Sequence, residues 1–257
     1  MNLDKKKEIS KALLDTFREA GDVAIELRKK GLKKETKPDN TPVTNGDIEV
    51  NNILTKKIST LTPEIPIISE ETLDNKKNKN LKDFWLIDPI DGTYDYINNK
   101  EEFTINAALI LNKKPALGII NAPDKKRLFY SYGPTNSFEI ANDKEIKLID
   151  KKKNKEFIKA VSYSEKLKPE ILRIHNKFNV KKFQKMKSSL KFCVIAAGEF
   201  DLYVAEPRAC EWDIAAGHAI LEHAGGKVTD FNNEEIVYGK KNFKNPSLIL
   251  KGKHILI

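Results

Sequence analysis

Residues 84–93 read Phe-Trp-Leu-Ile-Asp-Pro-Ile-Asp-Gly-Thr, an apolar run that ends in two carboxylates three residues apart. The apolar run predicts a short buried strand. Pro89 fixes its own φ and cannot continue the strand, so we expect the chain to turn there. Such a turn brings Asp88 and Asp91 to the same side and exposes the carbonyl of Ile90 beside them. Carboxylate and carbonyl oxygens are the hard ligands that Mg²⁺ prefers.

The same stretch has a second interpretation, because Asp, Pro and Gly are ordinary turn residues. On the functional interpretation, Gly92 lets the backbone approach a ligand, and a helix that begins at Thr93 points its free N–H groups at an anion. On the structural interpretation, the segment is only an Asp-Gly turn with helix caps. The stretch alone does not separate the two.

Three further segments place an acid beside a predicted element. Glu70 follows an apolar run, Asp47 stands at a predicted helix start, and Asp213 precedes the small residues 215–217 of another helix. Each acid alone reads as a helix cap or a first-turn acid. Together, four acids predict a cluster for two or more divalent cations, as in two-metal phosphoryl chemistry: Glu70, Asp88, Asp91 and Asp213. No pair of His or Cys residues has the spacing of a zinc site.

The composition is that of a folded protein without a membrane span. Of 257 residues, 40% are hydrophobic, which is enough for the core of one unit or two joined halves. No uncharged stretch approaches the roughly 18 residues of a membrane helix. The first residues lack the apolar stretch of a secretory signal, and two cysteines make no disulfide framework. We expect a cytoplasmic protein, with peripheral association with the inner membrane left open.

The charge is concentrated in one segment. The net charge is +9, but residues 144–191 alone hold 16 basic and 5 acidic residues. Such a segment suggests an anionic ligand nearby; the alternative is a lysine-rich surface in water. Only five of the 46 basic residues are Arg, and basic and aromatic residues do not interleave, which argues against nucleic-acid binding.

The periodicity predicts an α+β fold. Helices are expected at 4–30, from about 44 to 63, and at 169–178, 188–198 and 213–223. Strands are expected at 65–68, 84–88, 103–111, 117–121, 128–132, 157–162, 200–204 and 227–230, with the third to fifth in an antiparallel meander. A polar loop at 72–82 and a charged hairpin or linker at 143–156 separate them. Strict β-α-β alternation is lacking, which favours a layered fold. We expect one compact unit of two parts, 1–142 with most metal ligands and 143–257 with Asp213 and the specificity residues.

Taken together, these stretches resemble the lithium-sensitive inositol monophosphatase superfamily. The resemblance rests on WLIDPIDGTYDYINNKEEFTINAAL (85–109), with ISEE (68–71) before it and EWDIAAGHAIL (211–221) after it, and it covers essentially the whole chain. TPVTNGD (41–47), EFTIN (102–106) and SSLKFCVIAAGEFDLY (188–203) are similar to the bacterial CysQ-type branch of 3′(2′),5′-bisphosphate nucleotidases. The resemblance implies a layered αβαβα sandwich and allows for a homodimer.

The resemblance also implies roles for the acids. Glu70, Asp88 and the carbonyl of Ile90 would hold one Mg²⁺, and Asp88, Asp91 and Asp213 a second. Glu70 would also touch a third, more weakly held ion. Asp47 and Thr93 would orient and deprotonate the attacking water, so that Asp47, Glu70 and Thr93 are the expected catalytic residues. The amides of Gly92 and Thr93 would bind the phosphate.

The substrate-binding residues are expected in the second half. Ser188, Ser189 and Lys191 match the Ser-Ser-Leu-Lys of the branch, and Lys191 could pair with a second phosphate. The branch often has Ser-Arg-Ser-His where residues 162–165 read Ser-Tyr-Ser-Glu, and Tyr-Pro-Arg where residues 203–205 read Tyr-Val-Ala. Arg208, three residues further on, is the candidate to replace the missing arginine.

The sequence therefore predicts a Mg²⁺-dependent phosphatase. Its reaction would release the 3′-phosphate of adenosine 3′,5′-bisphosphate, leaving AMP, by attack of a metal-activated water, and would clear a by-product of sulfate assimilation. The first alternative is an inositol or other sugar-phosphate monoesterase. The second is a non-catalytic, anion-binding regulatory protein, which the full set of acids disfavours because carboxylates without cations repel one another. The expected partner is a small phosphorylated molecule, and a nucleic-acid binder ranks last.

Overall fold

The structure, a computed structural model, describes residues 1–37, 40–72, 81–150 and 157–255. Residues 73–80 of the predicted polar loop and 151–156 of the predicted charged linker lie outside these ranges. Within them there are six α-helices: α1 (Leu3–Lys30), α2 (Asn45–Leu61), α3 (Thr93–Ile97), α4 (Pro169–Lys177), α5 (Leu190–Ala196) and α6 (Ala215–His223). The same residues form fourteen strands: β1 (Lys34–Thr36), β2 (Pro42–Thr44), β3 (Ile67–Ser69), β4 (Phe84–Asp91), β5 (Thr104–Leu111), β6 (Lys114–Ala122), β7 (Arg127–Gly133), β8 (Asn136–Ala141), β9 (Lys144–Lys147), β10 (Ile158–Ser162), β11 (Val180–Lys185), β12 (Leu202–Ala205), β13 (Lys227–Thr229) and β14 (Leu248–Lys251).

Strands β3 to β9 form a seven-stranded sheet in chain order. β3 and β4 are parallel, and every later neighbour is antiparallel, so the predicted meander is confirmed. The sheet continues through β9 to Lys147, beyond the division expected after residue 142. That division stays a prediction.

Strand β4 is buried on both faces because helices cover both sides of this sheet. Trp85 and Ile87 pack into the cluster that contains residues of α1 and α2. Phe84 and Leu86 point the other way, into the cluster that contains residues of α5 and α6. A strand between two helical layers reads as a continuous apolar run, which is how the sequence identified it.

The second sheet has five strands in the order β11-β10-β12-β14-β13 and is mixed parallel and antiparallel. α5 and α6 lie between the two sheets, and α4 packs on the outer face of the second sheet. The layers are therefore α, β, α, β and α, and the predicted sandwich is confirmed. Strands β11 and β14 and the β1–β2 hairpin were not predicted, β8 was not predicted as a separate strand, and β9 lies in the segment expected to be a hairpin or linker. Among the described residues, no helix is both long and apolar enough to span a membrane.

The turn predicted at Pro89 was wrong, because β4 continues through this residue to Asp91. Asp88 pairs with Asn106 of β5, Asp91 pairs with Thr104, and the register shifts between the two pairs. Residues three apart in a regular strand face opposite sides of the sheet. The bulge inserts one extra residue and corrects this parity. Asp88 and Asp91 therefore line the same cleft, as predicted, by a different backbone path.

Candidate active site

A cleft of about 310 Å³ opens beyond the end of β4 and is also lined by the residues that precede α5 and α6. Both acids and cationic side chains line the cleft. The acids include Glu70 and Asp213, and the cationic residues are Lys187, Lys191 and Arg208. The packing of α6 on the first sheet brings these segments together. A Cβ atom at Gly118 of β6 would lie 2.3 Å from the carbonyl oxygen of Ala216, so only glycine permits this approach.

Three of the four predicted carboxylate ligands form one cluster. Carboxylate oxygens of Glu70, Asp88 and Asp213 all lie within 4.8 Å of one another. Asp88 is buried, and its Oδ1 has no hydrogen-bond partner among the described residues. A buried acceptor without a partner is costly, so this oxygen is suited to a ligand that the protein itself does not supply.

Without a cation, the three carboxyl groups of the cluster ionise less readily than carboxyl groups in water. Burial raises the pKa of Asp88 well above its usual value, and the charges of Glu70 and Asp91 raise it further. Burial likewise raises the pKa of Asp213 to about 7, with Asp91 adding to the effect. Burial also raises the pKa of Glu70, although the nearby Lys37 partly opposes it. Divalent cations would favour the ionised form of all three groups.

Asp91 lines the same cleft, but Ser189 holds its carboxylate at one side. The Ser189 hydroxyl lies 2.5 Å from Asp91 Oδ2 and 2.6 Å from the carbonyl oxygen of Asp213. The Ser189 backbone N–H donates to the same Asp91 oxygen. One serine at the start of α5 thus links two predicted metal ligands, Asp91 at the end of β4 and Asp213 just before α6.

Asp47 and Thr93 meet at the edge of the cluster, as predicted. Asp47 closes a capping box at the start of α2, where its Oδ2 accepts from the N–H and hydroxyl of Thr44 at 2.8 and 2.7 Å. Its other oxygen, Oδ1, lies 3.4 Å from the Thr93 hydroxyl. That hydroxyl is also 3.1 Å from the carbonyl oxygen of Ile90. Asp47 is therefore both a helix cap and a neighbour of the cluster. Asp213 is not a cap, since α6 begins at Ala215.

The structure places two predicted substrate residues away from the cleft surface. Ser188 is buried and its hydroxyl accepts from the N–H of Leu190, while Ser189 binds Asp91. Neither lines the cleft, and their role in substrate binding stays a prediction. Lys191 does line it. The ammonium of this buried lysine donates to the carbonyls of Lys187 and Ser188 at 3.0 and 2.8 Å, and burial lowers its pKa.

Several residues of the site were not identified as site residues from the sequence. Lys37 follows the exposed strand β1, and its Nζ lies 3.0 Å from Glu70 and 2.7 Å from Glu71. Lys187 lines the cleft, with its Nζ 3.5 Å from Asp95. Tyr203 forms part of the wall under Lys191, 5.4 Å from ring centre to Nζ. These residues come from separate segments, and only the folded chain brings them to one place.

The donor set fits a hard divalent cation. It consists of carboxylate oxygens and one backbone carbonyl, with no imidazole or thiolate among the residues that line the cleft. A Lys ammonium already lies against Glu70, so the site attracts positive charge. Such a cation would give Asp88 Oδ1 the partner that it lacks, and it would lower the raised pKa values of Glu70, Asp88 and Asp213.

The sequence profile that matches residues 5–255 is that of the inositol monophosphatase family. The 3′(2′),5′-bisphosphate nucleotidase CysQ of Buchnera aphidicola is 36% identical over 235 residues, 86% of this chain and 84% of that protein. The protein of the same name from Salmonella typhimurium is 33% identical over 89% of this chain and 94% of its own length. The crystal structure of CysQ from Bacteroides thetaiotaomicron superposes with a TM-score of 0.78 at 29% identity, covering 95% of this chain and 97% of that one.

The raised pKa of Asp213 predicts how stability depends on pH in the metal-free protein. The folded state holds a proton that the unfolded chain releases, because the pKa rises from 3.8 to about 7 on folding. The free energy of unfolding should therefore fall as pH rises through this interval, by up to about 1.4 kcal/mol per pH unit for each such carboxyl. Asp213→Asn should make this fall shallower and give the more stable protein at pH 8. Urea unfolding in EDTA at pH 5 and pH 8 measures it.

Asp83→Asn is the matched control, because its carboxylate lies outside the cleft and accepts from the N–H of Asn112. This variant should keep the wild-type pH dependence. A wild-type protein that gains stability from pH 5 to pH 8, or an Asp213→Asn protein as pH-dependent as wild type, would contradict the assignment.

The contact between Ser189 and Asp91 predicts an effect on cation affinity. Ser189→Ala removes the hydroxyl that orients the Asp91 carboxylate, so the dissociation constant for Mn²⁺ should rise about 10- to 100-fold. Titration with Mn²⁺, followed by electron paramagnetic resonance, measures it. Ser188→Ala is the control, since its hydroxyl bonds the N–H of Leu190 instead. Equal affinities in the two variants would exclude Ser189 as an orienting residue.

Proposed function

The chain belongs to the inositol monophosphatase family and is a phosphatase, and we propose that it removes the 3′-phosphate of adenosine 3′,5′-bisphosphate. The observation that carries the proposal is that one cleft is lined both by a carboxylate cluster and by three cationic side chains. The cluster suits cations that bind the reacting phosphate, and the side chains of Lys187, Lys191 and Arg208 suit a second phosphate. The names of the similar CysQ proteins support the same substrate.

The residues proposed to hold Mg²⁺ are those of the cluster and its neighbours. Glu70, Asp88 and the Ile90 carbonyl would hold one ion, and Asp88, Asp91 and Asp213 a second, with Glu70 also touching a third. When bound, the ions supply positive charge for the phosphate oxygens and lower the pKa of the attacking water. Lys37 must then leave Glu70 or share it, because its ammonium competes for the same carboxylate.

Asp47 and Thr93 are proposed to orient the attacking water and accept its proton. Thr44 holds one oxygen of Asp47, so that the other faces the Thr93 hydroxyl at 3.4 Å. Burial raises the pKa of Asp47, which makes its carboxylate a better base than one in water. A hydroxyl and a carboxylate fixed in this way can bind one water between them and the phosphate.

The start of α3 is proposed to bind the reacting phosphate through the amides of Gly92 and Thr93. Gly92 has φ of +96°, a left-handed conformation that glycine adopts without strain. A Cβ atom there would lie 3.1 Å from the carbonyl oxygen of Glu102, so the backbone is also closely packed. The amides are therefore held rigidly beside the cluster.

Location and assembly are extensions of this proposal. The described cysteines, Cys193 and Cys210, are free thiols, which supports the cytoplasmic location that we propose. A homodimer stays a prediction from the resemblance.

The proposal is tested by phosphate release from adenosine 3′,5′-bisphosphate and from inositol 1-phosphate, each with Mg²⁺ and with EDTA. We expect a kcat/KM for the nucleotide at least tenfold higher than for inositol 1-phosphate, and no turnover in EDTA. Asp91→Asn should abolish turnover of both substrates, because it removes a charge that the second ion needs.

Asp124→Asn serves as the control, because Asp124 pairs with Arg28 beyond the cleft. It should lower stability and leave the substrate preference unchanged. A preference for inositol 1-phosphate would overturn the substrate and keep the reaction. Full activity of Asp91→Asn, or of wild type in EDTA, would overturn the mechanism.

A further inference from the structure

The Tyr163 and Arg208 side chains form a stacked pair at the boundary between two cavities. The guanidinium carbon of Arg208 lies 3.4 Å from the centre of the Tyr163 ring, which is direct face-on contact. Both residues line the cleft of the carboxylate cluster. Both also line a second cavity of about 370 Å³ between the ends of β10 and β12. The pair therefore lies between the cleft of the carboxylate cluster and this second cavity.

The guanidinium of Arg208 has N–H donors available for a ligand. It is exposed, and no carboxylate pairs with it among the described residues. The charge of Arg208 also acts on the hydroxyl of the buried Tyr203, where it opposes the rise in pKa that burial causes. A guanidinium has five N–H donors in a planar fork, so the stacked Arg208 keeps several free. Their geometry suits the oxygens of a phosphate, and Tyr163 has already reduced the entropy cost of ordering the chain.

Ala205 leaves open the space between the two cavities. It lies on both walls, next to Tyr163 and Arg208, and its side chain is a single buried methyl group. Arg208 and Tyr163 therefore both border this open space.

The second cavity is mostly apolar. Ile171, Val204 and Pro207 contribute to its walls, together with the ring of Tyr163. Apolar and aromatic walls suit a flat base, which has two apolar faces, far better than a polyol ring that carries a hydroxyl on each carbon. The compartment adjoining the metal cleft thus favours a nucleoside over an inositol.

We propose that Arg208, positioned by Tyr163, is the residue through which this enzyme selects nucleoside bisphosphates. The guanidinium binds the second phosphate, and the base enters the apolar cavity beyond it. This inference rests on the proposed function and specifies which residues of this chain determine its substrate. Arg208 contacts substrate, and Tyr163 is a positioning residue that acts through Arg208.

The test compares adenosine 3′,5′-bisphosphate with adenosine 3′-phosphate, which differ only in the second phosphate. Arg208→Gln should raise KM for the bisphosphate about 10- to 100-fold, the value of a charge-assisted double hydrogen bond, and leave kcat nearly unchanged. KM for the monophosphate should change less than twofold. Arg173→Gln is the matched control, because Arg173 lies on α4, pairs with Glu170 and does not line either cavity.

Tyr163 is tested by two variants. Tyr163→Phe keeps the ring under the guanidinium and should retain the wild-type KM. Tyr163→Ala should raise KM for the bisphosphate by a smaller factor than Arg208→Gln. Because Tyr163 acts through Arg208, the double variant Tyr163→Ala, Arg208→Gln should be no worse than Arg208→Gln alone.

The failure of this inference can be distinguished from the failure of the proposed function. If wild type prefers the bisphosphate and Arg208→Gln keeps that preference, or raises KM equally for both nucleotides, this inference is overturned and the proposed function stands. If wild type hydrolyses inositol 1-phosphate but neither nucleotide, the proposed function fails and the inference with it. Additive effects of the two substitutions, or equal effects of Tyr163→Phe and Tyr163→Ala, would remove Tyr163 from its positioning role.

Discussion

Mutual repulsion among buried carboxylates is the constraint on which the site depends. Oxygens of Glu70, Asp88 and Asp213 lie within 4.8 Å of one another at the end of a strand that helices cover on both faces. This arrangement opposes folding unless cations bind there. It persists because the rest of the fold is closely packed around it: Gly118 lets α6 approach the first sheet, and the bulge after Asp88 turns Asp91 toward the same cleft.

The acids were predictable because each one lies at the end or at the start of a strongly patterned element. The apolar run before Asp88 marks a strand buried on both faces, and the Thr44–Asp47 spacing is that of a capping box. The bulge was not predictable, because it depends on how β5 pairs with β4. Strand β11 was missed for another reason: five of its six residues are exposed, so the sequence carries no apolar period there. Ser189 and Lys37 act through contacts with residues 98 and 33 positions away, which periodicity cannot show.

The uneven charge of the sequence has two explanations that hold for different residues. Among the described basic residues of the segment 144–191, Lys187 and Lys191 line the metal cleft, where an anion would bind. The lysines of β11 instead lie on an exposed edge strand. Most of the positive charge that the structure describes in this segment is therefore exposed to water, and a small part of it belongs to the site. The basic residues of the cleft lie on α5 or follow strands of the second sheet, whereas most of its acids lie at the ends of strands of the first sheet.

The proposed activity depends on cation binding by the carboxylate cluster. Isothermal titration of the metal-free protein with Mg²⁺, in the presence of inorganic phosphate, measures this binding most directly. We predict at least two ions per chain for wild type and the loss of at least one in Asp88→Asn, because the amide removes a negative charge from the cluster. No measurable binding, or the same number and affinity of ions in Asp88→Asn, would contradict the account.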